Sequence, residues 1–404
     1  MIIPPFRALL LTAAAVVAAP SVSAELLTAD DPRIQAFENG LVDREDRGNP
    51  QARRWSIEER LAFHRVPGIG VAIIENSTVV WAKGYGLKQA GTNERVDADT
   101  VFSAGSVSKM INAALVLRMV AGGSLDLDTN VNQYLERWDV PDNGYTRDAP
   151  VTLRSLLAHT SGFSQHGFAD FQPGEPLPSA LQTLNGRSPA KHGPVHLMFT
   201  PGTRMDYSGG GITVSQVLIE DVSGMPYTEA ARHFVFDPVG MNRSTFLNPL
   251  PAQHGNIAMA HDDNGDATAR PRGWEAMPEM AASGLWVSAR DLGAFVVTLM
   301  DSYHGTSQFL PRPLAQDMMS REPQSWHGLG PRINGSGKTL VFHHGGANNS
   351  YRARIEGHLE TGQGIVLLTN GARGGWVYGE VRKAVEESFG WAITAEEGYT
   401  EPSF

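Results

Sequence analysis

Short runs of β-branched and apolar residues occur near both ends of the chain. Two such runs, residues 71–74 and 78–81, flank a turn-forming Glu-Asn-Ser sequence, so residues 70–87 are predicted to form a β-hairpin. Turn-forming residues also separate three later runs of the same character. These runs predict strands at 339–343, 351–358 and 364–369.

Helical periodicity dominates between the strands. Residues 106–120 are apolar on most sides and end at Gly122-Gly123, a pattern typical of a central, buried helix. Ser288 and Asp291 have the spacing of a capping box, which predicts a helix over 291–300. A last helix is predicted from about residue 375 to residue 389.

Strands at both ends with helices between them indicate one architecture. The simplest arrangement joins the two ends in one antiparallel sheet, covers the sheet with helices, and inserts a mainly helical region between its parts. The predicted fold class is therefore α/β, of the α+β type. We place the sheet region at about 45–105 and 275–395, and the helical region at about 106–274.

Composition limits the class of protein. The chain has 404 residues, of which 41% are hydrophobic and 19% charged, enough for a large core in one domain or two coupled domains. Its net charge of -10, without a basic patch, argues against nucleic acid as a partner. The partners we expect are a small-molecule or peptide substrate, with no stable membrane anchor, and composition leaves the oligomeric state open.

The beginning of the chain resembles an export signal. Arg7 precedes an apolar run over residues 8–19, and Val22-Ser23-Ala24 offers small residues for cleavage. The alternative is a buried N-terminal helix. Residues 1–24 are thus predicted to be a signal peptide, leaving 25–404 as one hydrolase domain in the periplasm or outside the cell. The chain has no cysteine, which excludes a thiol nucleophile and a lipid-modified cysteine.

The sequence Ser106-Val107-Ser108-Lys109 at the start of the buried helix is a candidate catalytic motif. Residues three apart share a helix face, so Lys109 could activate the Ser106 hydroxyl if burial lowers the pKa of the amine. The helix N-terminus would supply N–H groups to a developing oxyanion. The alternative is a capping serine with an exposed lysine, which the motif alone favours.

The surroundings of this motif form an ordered set that resembles a known superfamily. The set resembles the serine β-lactamases and penicillin-binding proteins, most closely the branch with class C β-lactamases, D-aminopeptidases, DD-carboxypeptidases and family VIII esterases. The resemblance covers roughly residues 45 to 390 and implies a β-lactamase/transpeptidase-like fold. Its motifs after Ser106 are Leu125-Asp126-Leu127-Asp128, Leu156-Leu157-Ala158-His159-Thr160-Ser161-Gly162, Pro201-Gly202-Thr203, Tyr207-Ser208-Gly209, Pro238-Val239-Gly240-Met241, Ser283-Gly284-Leu285-Trp286 and His344-Gly345-Gly346.

The resemblance implies a role for each matching residue. Ser106 would be the acylated nucleophile, Lys109 would take or relay its proton, and Tyr207 would act as phenolate base or proton shuttle. A phenol has a pKa of about 10, which two nearby cations, Lys109 and a charged His344, would lower. The alternative for Tyr207 is a buried aromatic with a satisfied hydroxyl.

His344-Gly345-Gly346 matches the position of the K-T-G motif on a strand that lines the site. The Ala347 N–H would then form the oxyanion hole together with the Ser106 N–H. Gly345 and Gly346 would let the backbone approach the substrate closely. The alternative is a pair of ordinary strand histidines.

The chain also departs from the superfamily pattern. Gly209 stands where the Y-x-N motif has asparagine, and His344 replaces the K-T-G lysine, which argues against efficient β-lactam hydrolysis. Arg352 or Arg354 could replace the lost cation, although solvated strand arginines are an equal alternative. A histidine in the third motif is typical of the D-aminopeptidase and esterase branches.

Other motifs point to no further chemistry. The chain has neither G-x-S-x-G nor H-E-x-x-H, and its histidines lack metal-ligand spacing, so no cofactor or metal is expected. His159 in the H-T-S-G turn is expected to have a packing role. The predicted activity is serine hydrolysis of a D-amino-acid peptide or a carboxylic ester, with β-lactams ranked last. The alternative is a catalytically inactive ligand-binding or sensing module of the same fold.

Overall fold

A six-stranded antiparallel sheet is the centre of the fold in the computed structural model, which describes residues 26–268 and 274–391. The strand order is β2-β1-β8-β7-β6-β5, and a separate two-stranded ribbon pairs β3 with β4. The strands are β1 (Gly68–Glu75), β2 (Thr78–Gly86), β3 (Val101–Ser103), β4 (Trp286–Ser288), β5 (Arg332–Asn334), β6 (Val341–Ala347), β7 (Arg352–His358) and β8 (Gly364–Thr369).

The two ends of the chain meet at the pairing of β1 with β8, where Ile69 lies opposite Thr369. This pairing confirms that strands from both ends form one sheet. Successive residues of β1 face opposite sides, so Val71 packs into one apolar cluster and Ala72 into the other. Both faces of the sheet are therefore covered.

Helices cover each face of the sheet and fill the region between β3 and β4. Helix α10 packs on the face that Ala72 lines, while α1, α2 and α12 lie on the other. The helices are α1 (Pro32–Glu38), α2 (Ile57–His64), α3 (Ser108–Ala121), α4 (Leu153–Leu157), α5 (Ala180–Leu184), α6 (Gly209–Ser223), α7 (Tyr227–Ala231), α8 (Asp237–Val239), α9 (Met280–Ser283), α10 (Ala289–His304), α11 (Arg312–Met318) and α12 (Gly374–Phe389).

Helix α3 confirms the expectation of a central helix, since most of its side chains are buried. The α/β fold class, with an antiparallel sheet and a largely helical insertion, is likewise confirmed. Ser288 caps α10 by accepting from the Asp291 N–H at 3.2 Å. The helix runs to His304, four residues beyond its predicted end, because its apolar face continues against the sheet.

The prediction for β6 is wrong at both ends. Residues Gly337–Thr339 form a 3-10 turn, stabilised by the Thr339 hydroxyl, which accepts from the Ser336 N–H at 3.1 Å. The strand then continues to Ala347 rather than ending at His343, because β7 pairs with it as far as Ala347. Strand β5 was not predicted.

Residues 1–24, on which the export prediction rests, lie outside the described residues. Among the helices of the described ranges, none combines the length and the apolar character needed to cross a membrane.

Candidate active site

Ser106 lies in the turn that joins β3 to α3. The preceding Gly105 has φ +49°, and a Cβ on it would lie 2.8 Å from the Ala347 nitrogen, so the turn and β6 approach too closely for a side chain here. The Ser108 hydroxyl fixes the turn. It donates to the Gly105 carbonyl at 2.6 Å and accepts from the Leu285 N–H at 2.9 Å.

Lys109 in the first turn of α3 is only 2% exposed. Its Nζ donates to Ser106 Oγ at 3.2 Å and to the Ala282 carbonyl at 2.8 Å, and it lies 4.8 Å from the centre of the Tyr207 ring. The N-cap of α3 is Val107, whose side chain caps nothing. The interpretation of Ser106 as a capping serine beside an exposed lysine is therefore wrong, and the hydroxyl, amine and phenol share one site.

Tyr207 is held by the turn that contains His159. The Ser208 N–H donates to His159 Nδ1 at 3.2 Å, and the Asp206 N–H donates to the His159 carbonyl at 2.9 Å. The Ser208 hydroxyl caps α6 by accepting from the Gly211 N–H at 2.9 Å. His159 thus fixes both neighbours of Tyr207, which agrees with the expected packing role.

Four histidine rings surround the Tyr207 ring. The distances from the centre of the Tyr207 ring are 4.2 Å to His159, 4.8 Å to His166, 5.9 Å to His327 and 6.4 Å to His344. His327 Nδ1 lies 3.1 Å from the Gly330 carbonyl, and His344 Nδ1 lies 2.6 Å from the Gly345 carbonyl. A carbonyl can only accept, so Nδ1 carries the proton in both rings and Nε2 keeps its lone pair.

The expectation of a charged His344 is wrong. The ring is buried, and burial, together with the positive charge of Lys109 nearby, lowers the pKa of His344 well below its usual value. Burial likewise lowers the pKa of His327 to about 3. These histidines are neutral at physiological pH, so neither ring brings a positive charge to Tyr207.

The register of β6 shows where the Ala347 N–H points. The Leu340 carbonyl accepts from the Leu359 N–H at 3.0 Å, and the Asn348 N–H donates to the Tyr351 carbonyl at 3.3 Å. Because hydrogen bonds alternate along an antiparallel pair, the even-numbered residues of β6 bond to β7, and Ala347 directs its N–H to the opposite edge. Strand β5 covers only residues 341–343 of that edge. The Ala347 N–H therefore lies on an open strand edge beside the Ser106 turn.

These groups line a cavity of about 410 Å³. Gly346 faces the Ser106 turn so closely that a Cβ would lie 1.9 Å from the Ala104 carbonyl oxygen, whereas a Cβ on Gly345 would lie 3.9 Å from its nearest neighbour, the Ala353 carbonyl oxygen. Residues from widely separated parts of the chain contribute to the wall. They include Ser106, Phe168, Tyr207, Met277, Arg332, His344, Gly345, Gly346, Ala347 and Arg352.

Two residues expected at the site are placed elsewhere. Gly209 does not line the cavity but is buried, and a Cβ there would lie 2.9 Å from the Phe168 ring, so no asparagine fits without displacing Phe168. Arg354 is buried and pairs with Glu356 at 3.0 Å. The alternative of a solvated strand arginine is wrong for Arg354, and Arg352 is the one that lines the cavity.

Sequence reasoning missed the roles of Arg332, His166 and His327. Arg332 lies opposite His343 in the β5–β6 pair and brings a second cation into the cavity wall. The signal for it was the Asn334-Gly335 turn, which places the residues before it on a strand beside β6. Within the two described ranges, no group of three or more His, Asp or Glu side chains is arranged to hold a metal ion.

Comparison with known proteins identifies relatives of this chain. Penicillin-binding protein 4 of Amycolatopsis lactamdurans is 28% identical over 245 residues, 59% of this chain and 60% of that protein. An unguisins hydrolase of Aspergillus campestris is 29% identical over 218 residues, 50% of this chain and 38% of that protein. The chain thus spans about half the length of these curated relatives.

A solved structure shows the same fold. The octameric penicillin-binding protein homologue from Pyrococcus abyssi superposes with a TM-score of 0.67 at 24% identity, covering 82% of this chain and 75% of that one. A model of the family described as Beta-lactamase matches residues 56–387. This match extends over most of the chain, which therefore belongs to the Beta-lactamase family of serine hydrolases.

Proposed function

We propose that this protein is an exported serine hydrolase that cleaves an ester or amide bond through an acyl-enzyme on Ser106. The observation that carries the proposal is the 3.2 Å contact between Lys109 Nζ and the Oγ of Ser106, a residue that lines the cavity. A serine hydroxyl is a weak nucleophile unless a base lies within hydrogen-bond reach, and Lys109 satisfies that requirement.

The proton path follows from the positions of the amine and the phenol. As Ser106 Oγ attacks the substrate carbonyl, its proton passes to the neutral amine of Lys109. The Ala282 carbonyl holds this amine in either protonation state, because a neutral amine keeps N–H groups to donate. Tyr207 then relays this proton from Lys109 to the leaving alcohol or amine. In the second half of the reaction, water attacks the acyl-enzyme, and the proton that it loses returns through the same two groups to Ser106 Oγ.

The oxyanion of the tetrahedral intermediate would be stabilised by the N–H groups of Ser106 and Ala347. Gly105 and Gly346 allow the two backbone segments to approach each other closely. Each donor of this kind is typically worth about 3 kcal/mol of transition-state stabilisation. Arg332 and Arg352 add positive charge to the same cavity wall.

Among substrates, we rank D-amino-acid peptides and carboxylic esters above β-lactams. The Phe168 ring fills the space that an asparagine at position 209 would need, and neutral His344 replaces the K-T-G lysine. Both changes remove groups that hold a β-lactam in related enzymes. A panel of p-nitrophenyl esters, D-alanyl anilides and a chromogenic cephalosporin would test this ranking.

Export belongs to the same proposal and rests on residues 1–24. Amino-terminal sequencing of the mature protein from a periplasmic or culture fraction should begin at Glu25. An uncleaved chain in the cytoplasmic fraction would contradict export without affecting the proposed chemistry.

A fluorophosphonate probe tests the nucleophile directly. We expect the wild type to be labelled, Ser106→Ala to be silent, and Ser124→Ala, which removes an exposed hydroxyl beyond the other end of α3, to be labelled like the wild type. A wild type that is not labelled and turns over none of the panel would instead favour a binding module.

A further inference from the structure

A second cavity, of about 420 Å³, adjoins the catalytic one. Arg352 lines both cavities, and the second begins at Asn348, the residue directly after Ala347. Its wall is made from the segment after β6 and from two segments that pair through the bridge between Phe171 and Ala276. Asp262, Asp263, Thr268 and Ala372 complete the wall. The cavity therefore begins next to the position proposed for the carbonyl oxygen of the substrate.

Glu275 in this wall is a buried carboxylate with an unused oxygen. The side chain is 4% exposed, and its Oε1 accepts from the Ser350 hydroxyl at 2.6 Å. Its Oε2 is buried and has no hydrogen-bond partner among the described residues. A buried acceptor without a donor is costly, by about 1–3 kcal/mol, so such groups normally have a partner.

A second buried carboxylate lies in the same region. Asp170 accepts from the Asn349 N–H at 2.7 Å. Burial raises the pKa of Asp170 to about 6, and the neighbouring carboxylate of Glu275 contributes to that shift. The region therefore concentrates negative charge next to the catalytic cavity.

The cations nearby are engaged with other groups. The Arg352 guanidinium donates to the Tyr351 carbonyl at 2.8 Å and also to the Asn348 carbonyl. Lys191 pairs with Glu175 at 2.8 Å. Within the residues that the structure describes, no ion pair involves Glu275, so none of them supplies a counter-charge for this carboxylate.

We infer that this second cavity binds a protonated amine carried by the acyl part of the substrate, with Glu275 as its principal acceptor. An ammonium group supplies both the missing donor for Oε2 and the missing positive charge. The inference rests on the proposed hydrolase function and narrows its substrates to acyl groups with a free amino group. A neutral acyl chain would leave Glu275 unpaired.

Binding and turnover test the inference separately. The probes are glycyl, β-alanyl and 4-aminobutyryl p-nitroanilides, each compared with its N-acetylated counterpart, so the distance of the amine from the carbonyl varies. Binding is measured by calorimetry on Ser106→Ala, which cannot turn over the probes by the proposed route. Turnover is measured on the wild type.

We expect at least one free amine to bind at least tenfold more tightly than its N-acetyl counterpart. Glu275→Gln in the Ser106→Ala background should reduce that ratio to near one. Glu94→Gln removes an exposed carboxylate outside both cavities and should keep the ratio. Turnover should show the same preference, as a ratio of kcat/KM of ten or more between the paired anilides.

Equal affinity for all three pairs would overturn the inference, even if Ser106-dependent turnover of neutral esters is found. Failure of the proposed hydrolase function would give a different result. The free amines would still bind tightly, but the wild type would neither turn over the probes nor be labelled by the fluorophosphonate. If Glu275→Gln does not fold, the affinity ratios of free amine to N-acetyl probe, measured on Ser106→Ala with Glu275 in place, still show whether the protein prefers a free amine.

Discussion

Two groups of buried carboxylates in this protein differ in their partners. Glu356 on β7 lies between Arg354, at 3.0 Å, and Arg382, at 2.8 Å. Burial alone would raise its pKa, but the two guanidinium groups hold the pKa of Glu356 at about 2. Near the catalytic cavity, burial raises the pKa of Glu279 to about 7 and that of Glu275 above its usual value.

The difference separates a structural ion network from a site prepared for a ligand. The charge of Glu356 is matched within the chain, so nothing further is needed to keep it ionised in the interior. Glu275 lacks such a match among the described residues, and burying it costs stability that a bound cation would restore. Burial is thus common to both groups, and the presence or absence of a counter-charge decides their roles.

The largest expected effect comes from breaking the paired network. Glu356→Gln removes the negative charge between Arg354 and Arg382, and it should lower the free energy of unfolding by about 3–5 kcal/mol. Chemical denaturation measures this change. Glu360→Gln, an exposed residue just beyond β7, should change stability by less than about 0.5 kcal/mol. A loss below 1 kcal/mol for Glu356→Gln would show that the network is not a tightly coupled unit.

The next effect is a pH dependence at Glu279. The pKa is raised in the folded state from 4.5 to about 7, so the folded wild type binds the extra proton and loses stability as the pH rises through that window. Glutamine does not titrate. The stability of Glu279→Gln relative to the wild type should therefore increase by about 3 kcal/mol between pH 4 and pH 8. A difference that stays constant with pH would mean that Glu279 is paired.

Lys109 is a buried amine whose partners are a hydroxyl and a carbonyl rather than a carboxylate. Lys109→Met should reduce kcat/KM for the best ester or anilide at least about 100-fold, since it removes the proposed base. Lys338→Met, which changes an exposed lysine, is the matched control. If Lys109→Met retains its activity, a group other than Lys109 acts as the base.

The smallest effect is expected at the hydroxyl that holds Glu275. Ser350→Ala should lower the free energy of unfolding by about 1.5 kcal/mol at pH 8, because a buried carboxylate loses its side-chain donor. The loss should be smaller at pH 5, where the raised pKa of Glu275 favours the neutral acid. An equal loss at both pH values would mean that Glu275 has the same protonation state at pH 5 and at pH 8.

Strands β1, β2, β7 and β8 and the central helix could be predicted because their signals are local, whereas the three-residue strands β3, β4 and β5 were not predicted. Alternation in β1 and β2, the turn between them and the continuous apolar character of α3 each occupy a few neighbouring residues. The error at β6 has a physical cause, since pairing with β7 extends the strand through Gly345 and Gly346. Such pairing is a long-range interaction that β propensity does not report.

Only those residues of the candidate site that belong to recognisable sequence motifs could be predicted. Ser106, Lys109 and Tyr207 belong to an ordered set of motifs, whereas His166 and His327, which also surround Tyr207, lie outside that set. Their convergence depends on tertiary packing. For Glu275 and Glu279 a weak signal existed, because both interrupt an otherwise apolar segment from Trp274 to Ala282. Charges in such a segment are either exposed or functionally buried, and the sequence does not decide between them.

The covalent intermediate provides the most direct test of the account. After rapid acid quenching of a reaction with a slowly deacylating p-nitrophenyl ester, intact-protein mass spectrometry should show one added acyl group, and peptide fragmentation should locate it at Ser106. An acyl group on another residue would contradict the account. So would undiminished turnover without any adduct, both in the wild type and in Ser106→Ala.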